Sequence, residues 1–101
     1  MTMLHTVNKS PTERNALESC LKHLKKGSAV LLIEDGVYGA LRGTASTKMV
    51  EQALKIHPIY ALSPDIEARG MQDRVIEGIK LVDYNGFVDL AVEYPGVQAW
   101  L

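Results

Sequence analysis

The chain has 101 residues, of which 47% are apolar and 23% are charged, and its 11 basic and 12 acidic residues give a formal net charge of −1. We predict one domain over residues 1–101, because this length suffices for a single core, and the composition excludes disordered, collagen-like and coiled-coil proteins. The balanced charge argues against direct binding to nucleic acid. The longest aliphatic run, residues 29–33, is too short for a membrane helix, and we expect neither membrane association nor a secretory signal.

The first third of the chain predicts a strand, a helix and a second strand. Residues 3–7 read as the first strand. Residues 10–13, Ser-Pro-Thr-Glu, predict a helix start with an N-cap serine, a proline at the first helical position and a capping-box glutamate. The helix carries an apolar stripe that includes Cys20 and ends at Gly27. The run 29–33 is apolar at every position, which favours a strand buried on both faces of a parallel sheet.

The same alternation continues to the end of the chain. Further elements are predicted as helices at 37–41, 47–55, 63–69 and 87–92 and as strands at 59–62 and 79–82. The pattern predicts an α/β fold, a three-layer α/β/α sandwich around a mostly parallel sheet of four to five strands. Residues 97–101 contain the one tryptophan, Trp100, so we expect them to dock onto this domain's own sheet or onto a second subunit.

Acidic residues follow the predicted strands, where α/β proteins place their ligand sites. Asp35, Asp65 and Asp83 could bind a metal or share acid–base chemistry, but each also stands where an N-cap or turn residue belongs, and we favour that structural role. His5 is predicted to be a hydrogen-bonded core residue. Because no glycine-rich phosphate motif and no ligand-spaced histidine or cysteine cluster occurs, we expect neither a cofactor nor a metal.

Cys20 is the single cysteine, so the chain cannot form an internal disulfide and a reducing cytoplasm is the expected compartment. His23 follows three residues later on the same helix, where an imidazolium would lower the pKa of a thiol. Against this, Cys20 lies in the apolar stripe of its helix, and packing is the common role of such a cysteine. We keep both interpretations, a core residue and a persulfide-handling thiol.

The order and spacing of these features resemble the DsrH/TusB family of the DsrE-like superfamily over essentially the whole chain. The residues that carry the resemblance are Met3-Leu4-His5-Thr6, Ser10-Pro11, residues 31–37, Tyr60-Ala61-Leu62, Asp65, Ala68-Arg69-Gly70, Ile79, Asp83-Tyr84, Phe87-Val88, Leu90 and Ala99-Trp100.

The resemblance implies a cytoplasmic sulfurtransferase complex. In it, two homologous sister subunits, DsrE/TusD-like and DsrF/TusC-like, would join this chain in a heterohexamer and pass persulfide sulfur to a DsrC/TusE-like carrier. The principal reactive cysteine of such complexes belongs to the larger sister, and the corresponding stretch here, residues 62–64, has no thiol. The resemblance therefore leaves open whether this subunit takes part in the chemistry.

The resemblance also implies that a cysteine such as Cys20 is typical of the sulfur-oxidising branch, the reverse dissimilatory sulfite reductase pathway. Its presence favours that branch over the TusB-type role, transfer-RNA 2-thiouridine synthesis. A stand-alone α/β ligand-binding or regulatory module is the alternative from another class of function.

Overall fold

The computed structural model describes residues 2–101, so Met1, the first residue of the predicted domain, lies outside the described residues. In chain order the elements are β1 (Leu4–Val7), α1 (Ala16–Lys22), β2 (Ala29–Leu32), a 3-10 segment (Glu34–Ala40), α2 (Thr47–Leu54), β3 (Ile59–Leu62), α3 (Ser63–Ala68), a 3-10 turn (Gln72–Arg74), β4 (Lys80–Val82), α4 (Tyr84–Glu93) and β5 (Val97–Trp100). Within the described residues, every helix is too short or too polar to cross a membrane.

The five strands form one parallel sheet in the order β4-β3-β2-β1-β5. The sheet confirms the predicted α/β fold. In the register, Val7 of β1 lies beside Leu32 of β2 on one side and Trp100 of β5 on the other. Because all the strands run in the same direction, the loops that follow β1, β2 and β3 emerge at one edge of the sheet.

Apolar side chains cover both faces of the sheet. On the first face, strand residues such as Val30 and Leu32 pack with Leu17 of α1 and Val50 of α2. On the second face, Leu4 and Leu31 pack against α4, through Leu90 and the half-buried Phe87. The alternation of side chains along each strand explains this division, since successive residues point to opposite faces.

The start of α1 differs from the prediction. The helix begins at Ala16, not near Pro11, and Asn15 stands at the N-cap position. The backbone N–H of Arg14 donates to the carbonyl of Ser10 at 3.0 Å, so the predicted capping residues close a separate turn. Within this turn the Oγ of Ser10 accepts the N–H of Thr12 at 3.3 Å, in place of the N–H of Glu13 that a capping box would use.

The carboxyl-terminal segment docks onto this chain's own sheet. Residues Val97–Trp100 form β5, which pairs with β1 along its full length. The indole Nε1 of Trp100 donates a hydrogen bond to Nδ1 of His5 at 3.0 Å. His5 is buried and accepts this bond from Trp100, which confirms the prediction of a hydrogen-bonded core histidine.

Candidate functional site

The polar residues after β1, β2 and β3 meet at the carboxyl edge of the sheet. The backbone N–H of Glu34, two residues after the end of β2, donates to Oδ2 of Asp65 at 2.6 Å. The side-chain Nδ2 of Asn8, directly after β1, lies 3.5 Å from Oε2 of Glu34. Three loops from separate parts of the sequence are therefore joined by side chains at one edge, which we call the strand-end cluster (Asn8, Glu34, Asp35, Asp65 and Arg69).

Arg69 completes the strand-end cluster, although it lies beyond the end of α3. Its Nη2 is 2.8 Å from Oδ1 of Asp35, and its Nη1 donates to the backbone carbonyl of Asp65 at 3.0 Å. The guanidinium also lies over the ring of Tyr38, 5.9 Å from its centroid. The hydrogen bond to Asp35 is the main reason that the pKa of Arg69 is raised. In the sequence, Arg69 is predicted only as the end of a helix, and no local pattern indicates a partner 34 residues away.

The backbone at Glu34 adopts a conformation that L-residues rarely take. Its φ is +50°, the one positive value at a non-glycine position within residues 2–101, and such a conformation costs on the order of 1 kcal/mol. Position 36 requires a glycine, because a Cβ there would lie 2.0 Å from the carbonyl oxygen of Val7. The hydrogen bond from Glu34 to Asp65 therefore ties this strained turn to the start of α3, while Gly36 lets the turn approach the end of β1.

The three predicted aspartates all have structural partners, but of different kinds. Asp83 is the N-cap of α4, where its Oδ1 accepts the N–H of Gly86 at 2.8 Å, as predicted. Asp65 accepts the backbone N–H of Glu34 from another loop, and Asp35 pairs with Arg69, so neither aspartate caps its own helix. Within the described residues, no three His, Cys, Asp or Glu side chains are grouped as metal ligands. The strand-end cluster is thus a set of loop-fixing contacts.

A groove of about 490 Å³ lies next to Tyr38, between the turn at residues 10–15 and the start of α2. The surface exposed in it is mainly apolar, with Pro11, Leu41 and Met49, and the polar residues that line it include Arg14 and Glu18.

Cys20 lies in the apolar core between α1 and the sheet. Its side chain has 0% exposure, and burial raises the pKa of the thiol to about 12. His23 does not activate it: the imidazole Nδ1 is 2.7 Å from the carbonyl of Ser19, and the ring lies beside Trp100, with 6.0 Å between centroids. In this structure the thiol is protonated and inaccessible, so any part that it takes in persulfide handling stays a prediction.

Comparison with known proteins places the chain in a family. Residues 9–97 match the family described as DsrH like protein. Two curated relatives, both named Protein TusB, come from Pectobacterium carotovorum (41% identity over 99 residues) and Escherichia coli K12 (39% over 101 residues). In both cases the match covers 97% of this chain and 100% of the relative.

Solved structures share the fold at low sequence identity. The YchN protein from E. coli superimposes with a TM-score of 0.82 at 15% identity, covering 98% of each chain. Protein MTH1491 from Methanobacterium thermoautotrophicum gives 0.75 at 19% identity, covering 96% of each chain. The chain therefore has a DsrE-like α/β fold and belongs to the DsrH/TusB family.

Proposed function

We propose that this protein is a structural subunit of a cytoplasmic sulfur-relay complex and does not itself carry the transferred sulfur. In this complex it joins two homologous sister subunits, DsrE/TusD-like and DsrF/TusC-like, in a heterohexamer that passes persulfide sulfur to a DsrC/TusE-like carrier. Family membership supports the complex. The structural role depends on one observation, the complete burial of the chain's single cysteine.

Persulfide transfer requires a thiolate that reaches the terminal sulfur of the donor. Cys20 meets neither condition, because it lies in the core and the pKa of its thiol is about 12. Ser63, the first residue of α3, follows β3 in the stretch where the family resemblance places the reactive cysteine of the larger sister. A serine hydroxyl cannot hold a persulfide. This chain therefore completes the assembly while a sister subunit performs the chemistry.

We propose transfer-RNA 2-thiouridine synthesis as the destination of the sulfur. The full-length relatives named Protein TusB support this choice. Sulfur oxidation through the reverse dissimilatory sulfite reductase pathway is the second candidate, and the presence of Cys20 favours it. The packing of Cys20 in the core gives that residue a purpose in either branch, which weakens its value as a marker of sulfur oxidation.

Deletion of the gene for this chain in its own host tests the proposal. We expect transfer-RNA 2-thiouridine, measured by mass spectrometry of digested transfer RNA, to fall to background. Complementation with the wild-type chain or with Cys20→Ala should restore it. Unchanged 2-thiouridine together with impaired oxidation of reduced sulfur would select the second branch. Unchanged levels of both would contradict the proposed function.

A further inference from the structure

The outer side of α4 carries apolar side chains that no part of residues 2–101 covers. Tyr84, Val88 and Val92 are 59%, 60% and 80% exposed. Their spacing of four residues places them in one row along the helix, which we call the α4 stripe. Isolated exposed valines are ordinary on a protein surface, but an aligned row of three bulky side chains on one helix is typical of a protein interface.

Negative charge runs beside the α4 stripe. Asp89 and Glu93 are exposed and also four residues apart, so they form a second row on the neighbouring side of the helix. They line a groove of about 470 Å³ between α4 and the sheet. From residue 80 to residue 101 the sequence has three acidic residues and a single basic one, Lys80, whose ammonium lies 5.9 Å from the centre of the Tyr60 ring.

This charge distribution decides what kind of surface fits α4. A partner needs an apolar centre to cover the α4 stripe and lysine or arginine side chains to face Asp89 and Glu93. A second copy of this chain, paired through its own α4, does not meet the second requirement, because residues 81–101 contain no basic residue. In an antiparallel two-fold pair of α4 helices, the acidic rows of the two copies would face each other, and like charges at an interface oppose association.

We propose that the outer face of α4 is the surface through which this chain binds one of its sister subunits, and that the sister presents an apolar patch flanked by basic residues. The identity of the partner rests on the proposed function. The position of the surface rests on the exposed row of Tyr84, Val88 and Val92 and on the acidic row beside it.

Co-expression of the tagged full-length chain with both sister subunits tests this inference. Recovery of the sisters is measured by size-exclusion chromatography for the wild type, for Val88→Asp/Val92→Asp and for Asp89→Lys/Glu93→Lys. Ile56→Asp is the matched control, because Ile56 is also an exposed aliphatic residue, at 73%, but lies after α2. Far-ultraviolet circular dichroism and Trp100 fluorescence confirm that each variant is folded.

With either double variant, we expect the amount of one sister subunit recovered with the tagged chain to fall about tenfold or more. With Ile56→Asp, we expect the same recovery as with the wild type. Equal recovery with Val88→Asp/Val92→Asp and Ile56→Asp would overturn the assignment of α4 while leaving the proposed function intact. An effect of the valine variant without an effect of the charge reversal would overturn the basic partner surface. Failure of the wild-type chain to bind either sister would overturn the proposed function, and this inference with it.

Discussion

Protonation of His5 should destabilise the fold at mildly acidic pH. Nδ1 of His5 accepts the indole N–H of Trp100 at 3.0 Å, so this nitrogen carries no proton in the folded state. Burial lowers the pKa of His5 below its ordinary value of 6.5, and the nearby His57 lowers it further. At pH values between the pKa of His5 in the folded chain and 6.5, His5 is protonated in the unfolded chain but neutral in the folded chain. The free energy of unfolding therefore decreases as the pH falls below about 6.5.

The size of this effect follows from proton linkage. In that window a single histidine contributes a slope of up to about 1.4 kcal/mol per pH unit, and this slope already includes the hydrogen bond to Trp100 that protonation of Nδ1 removes. Urea unfolding, followed through the fluorescence of Trp100, the only tryptophan, measures the slope between pH 7.5 and 5. Because other groups also titrate in this range, the slope of the wild type is compared with the slope of His5→Asn. In this variant an amide oxygen takes the place of the accepting nitrogen, and it does not titrate.

We expect the wild type to lose more stability on acidification than His5→Asn. His23→Asn is the control, because it removes the other imidazole beside Trp100, whose Nδ1 bonds to a backbone carbonyl, and we expect it to keep the wild-type slope. The reasoning is refuted if His5→Asn and the wild type have the same pH dependence, or if acidification stabilises the wild type relative to the variant.

Four further predictions follow from the turn after β2 and from the core. Asp65→Ala should lower the free energy of unfolding by about 1–2 kcal/mol, because the N–H of Glu34 loses its hydrogen-bond acceptor. Glu34→Gly should leave the free energy of unfolding unchanged or raise it, because glycine adopts φ +50° without strain. Gly36→Ala should cost several kcal/mol or prevent folding, since its Cβ would overlap the Val7 carbonyl. Urea midpoints measure all three variants. In the folded chain, Cys20 should react with a disulfide reagent at pH 8 about 1,000-fold more slowly than an ordinary thiol, because its pKa is raised from 9.0 to about 12.

Each of these has a clear opposing result. A wild-type midpoint for Asp65→Ala, or a loss with Glu34→Gly, would show that the turn after β2 is not held as described. A stable Gly36→Ala would contradict the close approach to β1. Rapid labelling of Cys20 without urea would show that the core between α1 and the sheet opens readily.

The first four strands could be predicted closely from the sequence, since β2 and β3 are short apolar runs bounded by turn residues, whereas β5 was expected only as a docking segment and not as a strand. Predicted β3, residues 59–62, agrees with the structure, and β2 differs by one residue at its end. The first residues of the helices were predicted less well. Residues 10–13 form a turn, and α4 begins at Tyr84, before the predicted residue 87, because Asp83 caps it.

The candidate site could be predicted only in part. The sequence indicates acidic residues at the ends of parallel strands, since strand direction alone brings those loops together. It does not indicate that Arg69 pairs with Asp35 or that Asp65 accepts from Glu34, because these partners are more than 30 residues apart and meet only after the sheet has formed. Nor could the apolar stripe of α1 show by itself whether Cys20 faces the core or a partner subunit.

Mapping of persulfides on the assembled complex during sulfur transfer tests the central claim most directly. The complex is supplied with a sulfur donor and carrier, quenched with an alkylating reagent, and digested for mass spectrometry. We predict a persulfide on a sister subunit and on the carrier, with Cys20 present only as the unmodified thiol because it is buried in the core. A persulfide on Cys20 that forms and decays at the rate of transfer would contradict the structural role proposed for this chain.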